Sequence, residues 1–118
     1  MYENIHTEKA CGFDIVFSAS HEYDEPDWDF DSEADKQNTL NRINNGDLVY
    51  FVARVQAFKN GILLGTDYLG GCCYDNHMQF VIDSYHYADM VKIVVADAHK
   101  TIIKLNNLLK GNNHAMES

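Results

Sequence analysis

Eight carboxylates occur among the fourteen residues from Glu22 to Asp35, and no lysine or arginine separates them. From Asp27 onward they occupy every second position, and Trp28 lies inside the series. In an extended chain, residues two apart point the same way and lie roughly 6.5 Å from each other. The pattern therefore predicts a regular row of negative charge. Its spacing is on the order of that of phosphates along a nucleic-acid strand, where the axial rise is about 3.4 Å per nucleotide.

Such a row can attract cations or the basic surface of another protein. Eight unneutralised carboxylates repel one another, which costs stability and favours a functional role over a solvated loop that only aids solubility. The alternative of a solvated loop that only aids solubility stays open. Trp28 is the only tryptophan, and it can serve either as an apolar anchor for a partner or as a core anchor for the loop. The candidate partner-binding residues are Glu22, Asp24, Glu25, Asp27, Trp28, Asp29 and Asp31.

Calcium binding is the first alternative chemistry for the row. Asp27, Asp29 and Asp31 match the first three ligand positions of an EF-hand loop. The sixth position of that loop is Ser32 instead of glycine, and the twelfth is Asn38 instead of glutamate. Both the sharp turn and the bidentate ligand are therefore missing, and we predict neither a metal site nor a cofactor.

The second alternative is a cysteine site, because Cys72 and Cys73 are followed by His77 and His86. Structural zinc sites usually use Cys-x-x-Cys spacing, whereas adjacent residues of a strand point to opposite faces. We therefore expect one buried and one exposed cysteine and no zinc. A Cys–His pair for nucleophilic catalysis can assemble in space from distant residues, so a small cysteine hydrolase stays open as a third hypothesis. Our prediction is that the chain has no catalytic residue and is not an enzyme.

The charge distribution argues against direct nucleic-acid binding. The net charge is −9, of which residues 1–46 carry −8 and residues 47–118 carry −1. Several tyrosines suggest a stacking platform for bases, but no surrounding lysines and arginines supply its electrostatic half. We expect these residues in the core and on the sheet: Tyr50, Tyr68, Tyr74, Tyr85 and Tyr87. The acidic surface should also repel anionic membranes.

The length of the chain predicts a single domain, and its cysteine content predicts the cellular compartment. At 118 residues it can form a single domain, which we place at residues 1–111 with an acidic loop at 21–31 and a flexible tail at 112–118. Three cysteines are an odd number, and no apolar run resembles a signal peptide or a membrane span. We therefore predict a cytoplasmic protein.

The pattern of apolar residues and turn signals predicts an α+β fold. Asn60-Gly61 joins two β-rich segments and is the dipeptide preferred in two-residue hairpin turns. Gly65, Gly70 and Gly71 suggest a bulge or the close approach of another element. Ser32 begins a capping-box pattern. The predicted elements are a strand at 13–19, a helix at 33–44 that Gly46 ends, a hairpin of 47–58 and 62–74, a short helix at 76–82 with Asp75 as its cap, and a long helix at 86–109 that Gly111 ends.

A resemblance to a known family rests on the middle of the chain. Ala53-Arg54-Val55, Asn60-Gly61, Gly65 and Tyr68, followed by a short and then a long helix, resemble small phage-encoded anti-CRISPR proteins. The similarity covers residues 50–100 and not the acidic third. It implies helices packed on a small antiparallel sheet and a non-enzymatic inhibitor of a CRISPR effector complex.

Two functions follow as expectations. The leading one is a small acidic protein that inhibits a host nucleic-acid-handling defence complex, either a CRISPR effector or a restriction system. It does so by occupying the basic surface of that complex, as a mimic of nucleic-acid charge. Carboxylates compete there for the lysines and arginines that otherwise hold phosphates. The other is a structural or regulatory α+β module, with a homodimer through the hairpin or the long helix left open.

Overall fold

The computed structural model describes residues 1–24 and 31–117, with side chains up to Lys110. Four strands and three helices follow one another along the chain. In order they are β1 (Glu3–Ala10), β2 (Phe13–His21), α1 (Glu33–Asn44), β3 (Val49–Lys59), β4 (Ile62–Tyr74), α2 (His77–Asp83) and α3 (Tyr85–Glu117). No described helix is long and apolar enough to cross a membrane.

The strands form one antiparallel sheet in the order β1-β2-β3-β4, so each strand pairs with its neighbour in sequence. The predicted α+β class is confirmed. The sequence analysis missed β1, whose residues are mostly polar and exposed. This strand forms because the backbone of β2 offers it a partner, and an edge strand needs few apolar side chains to accept that pairing.

Both hairpin turns use two residues with positive φ. Asn60 and Gly61 have φ of 53° and 78°, which confirms the predicted two-residue turn between β3 and β4. Cys11 and Gly12 repeat this geometry between β1 and β2, with φ of 53° and 85°. The second turn was not predicted, because cysteine rarely occupies the left-handed region.

One face of the sheet forms the core, and α2 and α3 cover it. Alternate side chains of β2 and β3 are buried there, as expected for strands with one covered face. The helices add Phe80, Tyr87, Met90, Val94 and Ala98. The strand residues of this core are Phe13, Ile15, Phe17 and Ala19 on β2, Phe51, Ala53, Val55 and Ala57 on β3, and Cys72 on β4.

The two short helices begin at side-chain caps. Ser32 accepts a hydrogen bond from the backbone N–H of Asp35 at 3.1 Å, which confirms the predicted start of α1. This helix contains no buried residue, in agreement with its thin apolar face. The cap of α2 is Asn76, which accepts from the N–H of Gln79 at 3.0 Å, and not Asp75 as predicted.

Helix α3 lies against β4 at Gly65. A Cβ at Gly65 would lie only 2.6 Å from the carbonyl oxygen of Val94, so the close approach predicted from the glycines is confirmed at this position. Thr101 continues the contact by donating its hydroxyl to the carbonyl oxygen of Leu64 at 3.1 Å. The predicted end of the helix was wrong, since α3 passes through Gly111 and continues to Glu117. Glycine weakens a helix but does not end one without a left-handed φ.

Candidate functional site

The described acidic residues concentrate at one end of the sheet, which we call the acidic end. It comprises the start of β1, the end of β2, the start of β3, the end of β4 and helix α1, which connects β2 with β3. Its described carboxylates are Glu3, Glu22, Asp24, Asp31, Glu33, Asp35, Asp47 and Asp75. Because these groups come from separate parts of the chain, the fold extends the acidity of the row to residues that the sequence pattern did not connect with it.

Glu22 is engaged within the protein. Its backbone N–H donates to the carbonyl oxygen of Tyr50 on β3 at 3.2 Å. Its carboxylate Oε2 accepts the backbone N–H of Gly71 on β4 at 3.4 Å, and Oε1 accepts the N–H of Asp24 at 3.2 Å. Gly71 lies in a bulge between the pairs Phe51–Cys72 and Ala53–Leu69, where the regular ladder is interrupted. Glu22 therefore attaches the start of the acidic segment to β4.

The remaining candidates divide into described and undescribed residues. Asp24 and Asp31 are both exposed, and Glu33 and Asp35 of the first turn of α1 are exposed as well. Glu25, Asp27, Trp28 and Asp29 lie outside the described residues, as does the centre of the predicted row. Carboxylates in the first turn of a helix also interact favourably with its dipole.

Positive charge concentrates at the opposite end, which we call the basic end. Helix α3 starts beside the end of β4 and runs toward the β3–β4 turn, where Thr101 contacts Leu64. Lysines follow along its second half and at the end of β3. They are Lys59, Lys100, Lys104 and Lys110, all exposed. The longest dimension of the protein is 72 Å against 24 Å for the other two, so the two charged ends are well separated.

Arg42 and Asp75 form an ion pair at the acidic end. Arg42 in the last turn of α1 approaches Asp75 at 3.8 Å, and both side chains are about half exposed. A pair of this kind contributes little to stability. His77 lies nearby with its ring 4.8 Å from that of Phe51, and burial lowers its pKa while Glu3 acts in the opposite direction.

The cysteines differ in burial and are all free. Cys72 is 5% exposed in the core, and burial raises the pKa of its thiol to about 11. Cys73 is partly exposed, and burial raises its pKa as well. Cys73 and His86 both line an open groove of about 410 Å³ along β4. The raised pKa values keep the thiols of Cys72 and Cys73 protonated at neutral pH, whereas a cysteine nucleophile reacts as the thiolate. These pKa values therefore do not support the hypothesis of a cysteine nucleophile.

The described residues contain no group of three or more His, Cys, Asp or Glu side chains that could hold a metal ion. The expectation that the tyrosines lie in the core and on the sheet is confirmed except at Tyr85. Tyr87 and Tyr50 are buried, at 6% and 8% exposed, and Tyr68 and Tyr74 lie on β4, whereas Tyr85 on α3 is 73% exposed.

One cluster on the uncovered face of the sheet was missed. The guanidinium of Arg54 lies 4.2 Å from the ring centre of Tyr2, and its Nη2 donates to Ser18 Oγ at 3.5 Å. The Nε of Arg54 is buried without a hydrogen-bond partner. No motif connects these residues in the sequence, because they meet only when β1 pairs with β2 and β2 pairs with β3.

No family model, curated protein or solved structure matches the chain. The resemblance to anti-CRISPR proteins therefore stays a prediction from the quoted residues alone.

Proposed function

We propose that this protein is a small acidic binding protein that inhibits a nucleic-acid-handling defence complex, either a CRISPR effector or a restriction system. In this proposal its acidic end occupies the basic surface on which the complex binds nucleic acid. The observation that supports it is the separation of charge. At one end of the protein the carboxylates of β1, α1 and the segments that flank β2, β3 and β4 outnumber Lys36 and Arg42, whereas at the other end exposed lysines outnumber Glu8 and Asp14.

The physical argument concerns competition for cations. A nucleic-acid-binding surface holds phosphates with lysine and arginine side chains. Exposed carboxylates on a preformed framework attract the same side chains and need not be reordered on binding. The capped helix α1 and the contact of Glu22 with β4 provide such a framework on both sides of residues 25–30. The resemblance to anti-CRISPR proteins agrees with this mechanism.

The test neutralises three described carboxylates of the acidic end together, by Asp24→Asn, Asp31→Asn and Glu33→Gln. Inhibition is measured in target-cleavage assays with reconstituted CRISPR effectors and restriction nucleases. In the assay that the wild-type chain inhibits, the variant should be weaker by roughly ten-fold, since exposed ion pairs contribute about 0.2–1 kcal/mol each. Replacing Asp27, Asp29 and Asp31 together with lysine should abolish inhibition, because attraction becomes repulsion.

The control variant raises the net charge by the same three units, but at positions away from the acidic end. Ala96, Ile103 and Asn107 are exposed on α3, and replacing all three with lysine adds three positive charges away from the acidic end. This variant should inhibit like the wild type. Equal weakening in both variants would mean that net charge alone acts, and a wild-type chain that inhibits no complex would refute the function. Circular dichroism must show native helix content in each variant.

The salt dependence of binding is an independent test of the proposed function. Affinity between exposed charges falls as ionic strength rises, because the Debye length shrinks to about 8 Å at physiological salt. We therefore expect binding to the inhibited complex to weaken steeply from low to physiological salt. Constant affinity over that range would mean that an apolar surface, and not the acidic end, carries the binding.

A further inference from the structure

Helix α3 leaves the sheet before it ends. Thr101 contacts Leu64, only a few residues from the β3–β4 turn, yet the helix continues to Glu117. The stretch from 101 to 117 measures roughly 24 Å at 1.5 Å per residue. It therefore reaches beyond the end of the hairpin, in keeping with the elongated shape of the protein.

The apolar face of α3 continues into this extension. Val94 and Ala98 are buried against the sheet, and Ile102, Leu105 and Leu109 follow at steps of three and four residues. Leu105 is 46% exposed and Leu109 is 58% exposed. The same face that forms the core thus becomes uncovered where the sheet stops.

The hairpin end adds to this surface, which we call the tip patch. Ile62 is 61% exposed and lies on the side of the sheet that faces α3, whereas Leu63 pairs with Phe58 and points to the opposite face. A groove of about 260 Å³ runs between the start of β4 and α3. Its apolar lining consists of Ile62, Leu64, Ile102, Leu105 and Leu109, and its polar lining of Lys59, Asn60 and Asn106. Leu108 stands beside this groove without lining it and is 61% exposed. The tip patch therefore contains both a recess and a projecting leucine.

We propose that the tip patch binds a second copy of this chain in a two-fold symmetric dimer. In such a dimer the two extensions of α3 run antiparallel, and Leu108 of each copy enters the groove of the other. A two-fold axis pairs identical patches, which requires that one patch carry both halves of the contact. The adjacent groove and leucine satisfy that requirement, and spacings of three and four residues suit packing between helices.

The apolar area fits a weak dimer. Four residues (Ile62, Leu105, Leu108 and Leu109) each leave on the order of 100 Å² of surface, so the patch offers roughly 400 Å² per copy and about 800 Å² in the pair. Asn60 and Asn106 also line the groove and add polar surface to the patch. An apolar patch of a few hundred Å² is typical of the largest patch on a monomer, and such patches are often functional.

The charges around the tip patch make the dimer distinguishable from binding at the acidic end. Lys59, Lys104 and Lys110 border the patch and are all exposed. Two copies bring these cations toward each other, and salt screens that repulsion while it leaves apolar contacts in place. The dimer should therefore tighten as salt rises, opposite in sign to the binding of a basic partner.

Sedimentation equilibrium over a range of concentrations and salt tests the proposal. The wild-type chain should form a dimer whose dissociation constant falls with salt, and Leu108→Asn should raise that constant about ten-fold or more. The matched control is Ile103→Asn. Ile103 is 58% exposed, close to the 61% of Leu108, but it is not part of the tip patch. Its substitution should change the constant less than about two-fold.

Three outcomes would overturn the proposal. One is a wild-type chain that stays monomeric up to about 1 mM, which would be a negligible affinity. Another is equal weakening by Leu108→Asn and Ile103→Asn, which would mean that the contact is not specific to the tip patch. The last is a monomer that sediments with phosphatidylserine vesicles and loses this binding in Leu108→Asn, which would identify an anionic lipid surface as the occupant.

Discussion

The phenolic hydroxyl of Tyr87 donates a hydrogen bond to Glu8 Oε2 at 2.9 Å, and so joins α3 to the edge strand β1. The ring of Tyr87 is buried against Phe17 and Phe80, at centre distances of 5.9 and 6.2 Å. Burial is the main cause that raises the pKa of this hydroxyl, and the bond to Glu8 raises it further. The hydroxyl therefore stays a donor across the physiological range.

Replacing Tyr87 with phenylalanine should lower the free energy of unfolding by about 1 kcal/mol, which is the typical contribution of one hydrogen bond. The ring and its packing remain, and the exposed carboxylate of Glu8 can turn to water. Urea denaturation measures the change. Tyr85→Phe is the control, since Tyr85 is 73% exposed and should not alter stability. An unchanged Tyr87→Phe variant would show that β1 is held by strand pairing alone.

Gly65 should be the glycine that least tolerates a side chain. An alanine Cβ there meets the backbone oxygen of Val94 at 2.6 Å and the Cβ of Asp97 at 3.3 Å, so α3 must move away from β4. We expect Gly65→Ala to destabilise the protein by about 1–3 kcal/mol. At Gly70 the nearest atom is Oε2 of the Glu22 side chain at 3.2 Å, which can rotate, so Gly70→Ala should cost less. Thermal denaturation of both variants checks the order.

The cap of α1 should act locally. Ser32→Ala removes the acceptor for the N–H of Asp35, and such a loss typically costs a helix about 1 kcal/mol. Because α1 contains no buried residue, its unfolding need not open the core. We expect faster amide hydrogen exchange in the first turns of α1 and nearly unchanged exchange in β2 and β3. Faster exchange throughout the sheet would mean that α1 contributes to the core.

Stability should fall at high pH because of Cys72. In the unfolded chain a thiol loses its proton near its ordinary pKa of 9.0, whereas burial holds the pKa of Cys72 in the folded protein at about 11. Between these values the unfolded state binds fewer protons, so the free energy of unfolding decreases as pH rises. This contribution is fully present below pH 9 and is lost as the pH passes through 11.

The variant Cys72→Ala should reduce that slope, and it should also lose some stability at every pH because it leaves a small cavity. Tyr87 acts in the same direction above its own ordinary pKa, but equally in the wild type and the variant. Cys73→Ala should change the slope less, since Cys73 is less buried. Denaturant titrations at several alkaline pH values measure the slopes, and identical slopes in the wild type and Cys72→Ala would contradict the assignment.

Local chemistry allowed much of the fold to be predicted. Asn60-Gly61 fixed a hairpin, Ser32 fixed the start of α1, and the glycines of β4 indicated where another element approaches. The strand β1 was missed because its polar residues carry no pattern of their own. The end of α3 was placed too early because Gly111 alone does not stop a helix whose residues continue to pair.

The sequence by itself determined the acidity of the N-terminal third, the α+β class and the amphipathic face of α3, because composition and periodicity are properties of neighbouring residues. Only the tertiary structure decided that Glu22 contacts Gly71, that Tyr87 contacts Glu8, and that the apolar face of α3 becomes uncovered beyond Thr101. Each of these depends on strand pairing and on the length of the sheet relative to the helix. Those quantities arise when distant segments bury their apolar surfaces together, and no local stretch of the chain encodes them.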